Sequence, residues 1–221
     1  MIYLIHLITG IPGSGKSLVA TSLAVKFLKK GVPVFSNYPI QCKSKGHIIT
    51  SYKLTKELLR SQSLPFGSKV FIDEAQLWFG SRSWKDFTID DLNVFSQHRH
   101  YGLDLFIITQ HAARIDTVIR EIANIIWVLD RFFLVTIATG FYEYEHLNVI
   151  LNNHLIKKRK KIFLNLYLSR FYKCYDTFFL QKPVQVKDFI NWDNFDGCNY
   201  KLIKCKELFR LVKGKISKGG F

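Results

Sequence analysis

The sequence predicts an α/β/α sandwich, three layers built on a mainly parallel central sheet. Three observations carry this. Short apolar runs alternate with segments of helical spacing up to about residue 143. The first run, Ile2–Thr9, passes directly into Gly10-x4-Gly15-Lys16-Ser17, and a helical pattern follows at once. A later run, Val70–Ile72, ends in the acid pair Asp73-Glu74. A glycine-lysine-serine pattern of that spacing, between a strand and a helix, is that of a phosphate-binding P-loop. The sandwich is therefore expected to be of the P-loop NTPase type.

Each element follows in order. Ile2–Thr9 is apolar and rich in β-branched residues, as a buried parallel strand requires. Leu18 to Lys30 spaces Leu18, Ala20, Leu23, Ala24, Phe27 and Leu28 helically and closes on two lysines and Gly31. "VPVFSN" restarts a strand, "LTKELLRS" predicts a short helix, and Lys69–Glu74 a third buried strand. Thr88 and Asp91 have capping-box spacing at the start of another helix, with Gly102 as its expected C-cap. Leu103–Gln110 reads as a fourth strand, "RIDTVIREIA" as a short helix, "NIIWVLD" as a fifth strand, and "FFLVTIATG" as a strand pairing with it. Beyond residue 143 the periodicity weakens. Residues 1–180 are expected to form the nucleotide-binding domain and 181–221 a basic C-terminal extension.

At 221 residues the chain is long enough for one sizeable core, and 48% hydrophobic content fits a folded domain. The formal net charge of +15 favours polyanions. That charge is uneven. Eight lysines and no acid precede Glu57; "KKRKK" spans Lys157–Lys161; the last 21 residues hold seven Lys or Arg against one Glu. The four cysteines, at 42, 174, 198 and 205, form no CxxC pair, which fits reduced thiols without a zinc site. The longest apolar candidate, Ile122–Phe141, is broken by Asp130 and Arg131, so no transmembrane helix is expected.

The motifs define a site. Glycines let backbone N–H groups turn toward phosphates, and the following helix offers its positive end. Gly10, Pro12, Gly13, Ser14, Gly15, Lys16, Ser17 and Leu18 are the expected nucleotide contacts. Lys16 would reach the β- and γ-phosphates, and Ser17 with Asp73 would hold Mg²⁺. Glu74, one residue past Asp73, is the expected base for an attacking water. Gln110, at the end of "LFIITQ", would sit beside the γ-phosphate and register its loss. A cation on that phosphate is common in hydrolysing motors, supplied in cis or by a neighbour. Of Arg82, Arg99, Arg114 and Arg120, all of which follow the acid pair, Arg99 and Arg120 are the chosen candidates. The expected catalytic set is thus Glu74, Lys16, Gln110, Arg99 and Arg120. His98 and His100 flank Arg99 with no third ligand nearby, which argues against a metal there.

"IYLIHLITGIPGSGKS", "VFIDEAQLWF", "SQHRHYGLDLFIITQ" and "RIDTVIREI" together resemble the ATPase domain of the zonula occludens toxin family, which includes the gene I assembly proteins of filamentous bacteriophages. The likeness runs over about residues 1–140 and extends to an aromatic segment, Phe171–Thr177. It implies an ATPase related to the FtsK/HerA-type motors, with ATP and Mg²⁺ as cofactors, Lys16 and Ser17 at the nucleotide and metal, Asp73 and Glu74 as acid pair and Gln110 as sensor. It implies a homo-oligomeric ring with an arginine acting in trans. It also implies work at the host membrane during extrusion of single-stranded DNA virions, with DNA and coat or assembly proteins as partners. Members of the family usually carry a transmembrane segment after this domain. With none expected here, the chain is placed in the host cytoplasm, its basic tail docking on the anionic face of the inner membrane or on a partner.

Two alternatives stay open from sequence. One is an FtsK/HerA-type viral DNA-packaging translocase. The other, of a different class, is a small-molecule kinase acting on a nucleoside; it has no need to activate water, so the Asp73-Glu74 pair speaks against it, as does the lack of an arginine-rich lid. A non-enzymatic protein with a vestigial loop would not need Lys16, Ser17, Asp73 and Glu74 together.

Overall fold

In the computed structural model, residues 3–44, 46–81, 87–132, 135–142, 157–164 and 168–176 are described. Ten strands and five α-helices occur among them: β1 (Ile5–Thr9), α1 (Lys16–Lys29), β2 (Val34–Ser36), β3 (Gln41–Ser44), β4 (His47–Thr50), β5 (Tyr52–Lys53), α2 (Lys56–Arg60), β6 (Lys69–Ile72), α3 (Gln76–Phe79), α4 (Ile89–Gln97), β7 (Asp104–Thr109), α5 (Thr117–Ile122), β8 (Ile125–Phe132), β9 (Val135–Tyr142) and β10 (Lys157–Leu164).

Eight strands form one sheet in the order β10-β9-β8-β1-β7-β6-β2-β5, and β3 and β4 form a separate hairpin. Every pairing from β8 to β5 is parallel; β8–β9 and β9–β10 are antiparallel. The sheet is thus mainly parallel, as the sequence predicts, and carries an antiparallel extension on one side. Alternation along the central strands explains its two buried faces. Ile5, Leu7, Val70, Ile72, Leu105 and Ile107 pack toward α4 and α5. Ile8, Phe71, Phe106 and Ile108 pack toward α1. On that second face Phe71 stacks on Phe106 at 4.4 Å and Phe106 on His6 at 4.6 Å.

The register brings the ends of β1, β6 and β7 to one edge. Thr9 pairs with Thr109, and Ile72 with Ile107. The segments that leave these strands are the P-loop, Asp73-Glu74 and Gln110. Ligands bind at that edge in open α/β sheets. Because β7 lies between β1 and β6, Gln110 emerges between the loop and the acids.

Several expectations are adjusted. The Thr88 capping box forms, with both side chains reciprocating, but α4 ends at Gln97; Gly102, at φ 65°, closes a later turn. The hairpin β3–β4, the short edge strand β5 and strand β10 had no counterpart in the sequence reading. "KKRKK" lies in β10, antiparallel to β9. The aromatic segment near residue 171 is a 3-10 helix, Ser169–Cys174, whose Phe171 is buried in the cluster beneath α1. Tyr175 then bridges to Ile40. The proposed extension, 181–221, lies outside the described residues.

Candidate nucleotide site

The P-loop depends on backbone that only glycine adopts readily. Gly10, Gly13 and Gly15 have φ of 155°, 79° and 87°. At Gly10 space is also decisive: a Cβ there would overlap the Leu129 carbonyl oxygen and lie 2.8 Å from the Ser14 hydroxyl. Gly15 is the N-cap of α1, and neither a capping side chain nor a first-turn acid occupies the helix start. Its leading amides are therefore presented toward the loop, where an anion would be stabilised.

Lys16 is buried and folds back over the loop, donating to the carbonyl oxygens of Gly10 at 2.8 Å and Ile11 at 3.0 Å. Burial lowers its pKa, while the charges of Glu74 and Asp73 act the other way. The Ser14 hydroxyl is buried in the same loop with no hydrogen-bond partner among the described residues. A buried hydroxyl in that state is costly unless a ligand or water completes it. A polyphosphate fits this donor set of amides, ammonium and hydroxyl.

Asp73 and Glu74 face the loop across the sheet edge. Asp73 accepts a hydrogen bond from Ser17 and another, at 2.9 Å, from the Glu74 amide. Burial nevertheless raises its pKa, and Glu74 adds to the rise. The Ser17 hydroxyl and Asp73 carboxylate are the oxygen ligands a Mg²⁺ would take. The main chain of Asp73 is clamped by the buried Asn37, just past the end of β2. Asn37 Oδ1 accepts from the Asp73 amide and Asn37 Nδ2 donates to its carbonyl, both at 2.8 Å. The side chain thereby continues the ladder between β2 and β6 after the strands have parted.

Glu74 departs from ordinary backbone, with φ 48°. For a residue with a Cβ this is uncommon and costs on the order of 1 kcal/mol. Its carboxylate is held by two amides. Gln76 Nε2 donates to one oxygen, and Gln110 Nε2 lies 3.4 Å from the other. Gln76 in turn accepts from Thr109 at 2.8 Å, and Gln110 Oε1 is 3.4 Å from an Arg114 nitrogen. A short helix end and a strand end thus converge on the same acid.

The structure brings together Lys16, Ser17, Asp73, Glu74 and Gln110. It does not bring Arg99 or Arg120 to them. Arg99 is exposed in the turn preceding β7, at the opposite end of that strand from Gln110. Arg120 lies near the end of α5, a few residues before β8 starts, and donates to Thr117 at 2.8 Å. Neither reaches the loop of its own chain. Arg82 lies outside the described residues. Sequence reasoning missed Asn37, Gln76 and the proximity of Arg114 to Gln110. For Asn37 a signal existed: a polar residue just after a buried parallel strand lies at the ligand-binding edge.

No helix among the described residues is long and apolar enough to cross a membrane. Comparison with known proteins agrees with this architecture. A crystal structure of the N-terminal domain of zonular occludens toxin from Neisseria meningitidis superposes with a TM-score of 0.58, at 22% identity, over 80% of this chain and all of that one. Among curated proteins, one that Pseudomonas phage Pf3 encodes and whose name describes it as an assembly protein is 34% identical over 125 residues, 55% of this chain and 41% of its own length. The chain thus covers less than half of that relative. The sequence profile of zonular occludens toxin (Zot) matches residues 4–162, well over half of the chain, and the chain belongs to the Zot family.

Proposed function

We propose that this chain is a Mg²⁺-dependent ATPase that powers the assembly and export of filamentous-phage-type virions, or of their single-stranded DNA, across the host membrane. The observation that carries the enzymatic part is the junction of Ser17, Asp73 and Glu74: a loop hydroxyl bonded to one carboxylate, and a second carboxylate one residue away in a strained, doubly held conformation. The biological part is supported by family membership and by the name of the Pf3 relative.

In this reading the loop from Gly10 to Leu18 binds the triphosphate, and Lys16 leaves its two carbonyl partners to bond the β- and γ-phosphates. Ser17 and Asp73 would hold Mg²⁺, which would supply positive charge against the negative charge that builds on the phosphate oxygens. Glu74 accepts the proton of the attacking water. Gln110, bonded to Glu74, senses whether the γ-phosphate is present and passes this to Arg114. Arg99 and Arg120, remote from their own loop, act across a subunit boundary in a ring. Residues 1–180 form the ATPase unit in the host cytoplasm, and the basic segment 181–221 docks on coat or assembly proteins or on the inner-membrane surface.

The test is nucleotide binding and steady-state ATP hydrolysis by the wild type and Glu74→Ala, each alone, with single-stranded DNA, with duplex DNA and with a nucleoside acceptor. Wild-type turnover that falls about a hundredfold or more in Glu74→Ala, with nucleotide binding retained, is the expected result. Stimulation by single-stranded DNA supports direct contact with that polymer, whereas stimulation by duplex alone favours a packaging translocase. Transfer of phosphate to a nucleoside, or hydrolysis indifferent to Glu74, overturns the reading.

A further inference from the structure

β8 and β9 stand alongside the P-loop on the side away from the acids. The pairing of β1 with β8 stops at Thr9 and Val128, where the loop begins. β8 nevertheless runs on to Phe132, held there by β9 through Leu129–Ala138, Asp130–Ile137, Arg131–Thr136 and Phe132–Val135. The extra length of this hairpin lies against the loop. The Leu129 carbonyl closes over Gly10. Buried Thr136 places its hydroxyl 3.5 Å from the Ser14 carbonyl, and 3.4 Å from where a Cβ on Gly15 would lie. The exposed Arg131 reaches the loop apex, with Nη1 3.3 Å from the Gly13 carbonyl oxygen.

The sheet order orients a nucleotide in this cleft. Glu74 and Gln110 leave β6 and β7 on one side of β1, and β8 lies on the other. If the γ-phosphate faces the carboxylate that activates water, the rest of the nucleotide extends toward β8. Arg131 is then the guanidinium beside the part that ATP and ADP share. Resting on the ATPase reading above, we infer that the β8–β9 hairpin is the nucleoside-side wall of the site, and that Arg131 is a nucleotide-binding residue that bonds the non-reacting phosphates of ATP and ADP from within the same chain. Arginine suits the role, since its planar fork can hold the Gly13 carbonyl and a phosphate oxygen at once.

The test is titration of the full chain with fluorescent mant-ATP and mant-ADP, comparing wild type, Arg131→Ala, Arg131→Gln and Arg131→Lys. The expected result is a Kd about tenfold higher for both nucleotides in the Ala and Gln variants, with partial recovery in the Lys variant. Arg131→Gln keeps a donor for the Gly13 carbonyl and removes the charge, so it separates support of the loop from attraction of phosphate. Wild-type affinity in Arg131→Gln overturns the inference. So does an effect confined to ATP, which would put the guanidinium at the γ-phosphate. If the wild type binds neither nucleotide, the ATPase reading itself falls; if it binds both and the variants match it, only this inference does.

Discussion

The two flanks of the P-loop are built from different materials. On the β6–β7 flank the holding is done by side chains: Asn37 clamps the Asp73 main chain, Gln76 and Gln110 hold the Glu74 carboxylate, and Arg114 backs Gln110. On the β8–β9 flank the contacts are mostly backbone and shape, with the Leu129 carbonyl against Gly10 and Thr136 against Ser14 and Gly15. Hydrogen-bonded carboxylates can exchange partners for a small net free energy, because each bond lost is replaced by another. A strand packed on glycine cannot give way without opening the loop. The acid flank is thus suited to change with the state of the nucleotide, and the hairpin flank to fix where it sits.

The largest expected effect lies on the rigid side. Gly10→Ala places a methyl against backbone that has no alternative position and forces alanine to a φ near 155°. Overpacking and backbone strain together should cost about 3 kcal/mol or more, seen as a lower midpoint in denaturant unfolding. Loss of less than about 1 kcal/mol would mean that the hairpin yields, and the contrast between the flanks would break.

A smaller and different effect is expected on the acid side. Asn37→Ala leaves the Asp73 amide and carbonyl without their partners, at a cost of about 2 kcal/mol. The strand ends would remain, but the acids would lose their fixed position. Turnover should fall about tenfold while nucleotide affinity changes little, a split readable from kcat and Kd measured separately. An affinity loss with unchanged turnover would place Asn37 in binding instead.

The third test is one of sign. Burial raises the pKa of Asp73 above its ordinary value, so the folded state holds this proton more tightly than the unfolded state does. Between the ordinary value, about 3.9, and the raised one, the folded state carries more protons, and stability falls as pH rises. Above both, the full cost of burying the charge remains. Asp73→Asn should therefore melt higher than wild type at neutral pH, with the difference fading as pH falls through the raised value and gone below about 4. A variant that melts lower at neutral pH would mean that the Ser17 and Glu74 bonds outweigh burial.

How far the sequence disclosed this site depends on how local each signal is. The loop, Asp73 and Glu74 were legible because strand, turn and helix follow one another within a few residues. Gln110 was legible because it ends a strand of the same kind. Gln76 and Arg114 gain meaning only from the convergence of α3 with the end of β7, which spacing along the chain does not reveal. The arginines show this most directly. The sequence favours Arg99 and Arg120 over Arg114, yet Arg114 is the one near Gln110, because it follows in the short turn that leaves β7. Among the strands, β5 is two residues long and β10 is made of charged residues for most of its length, so neither carries the hydrophobic alternation that marks a strand.

The place of β1 has a consequence for the order of events during synthesis. This strand is made before the other strands of the sheet, yet it sits inside that sheet between neighbours about a hundred residues downstream. Leu4 bonds Asp104, Ile5 bonds Asn124, and β1 pairs with β7 and β8. Pairings so distant in the chain close late and slowly. A nascent chain that has exposed every residue of the P-loop and the acid pair would still have no loop to bind with until β8 has left the ribosome. Nucleotide binding would then begin only when the domain is close to complete, and a chain stalled earlier would keep its ATP motifs and its apolar first strand exposed to chaperones.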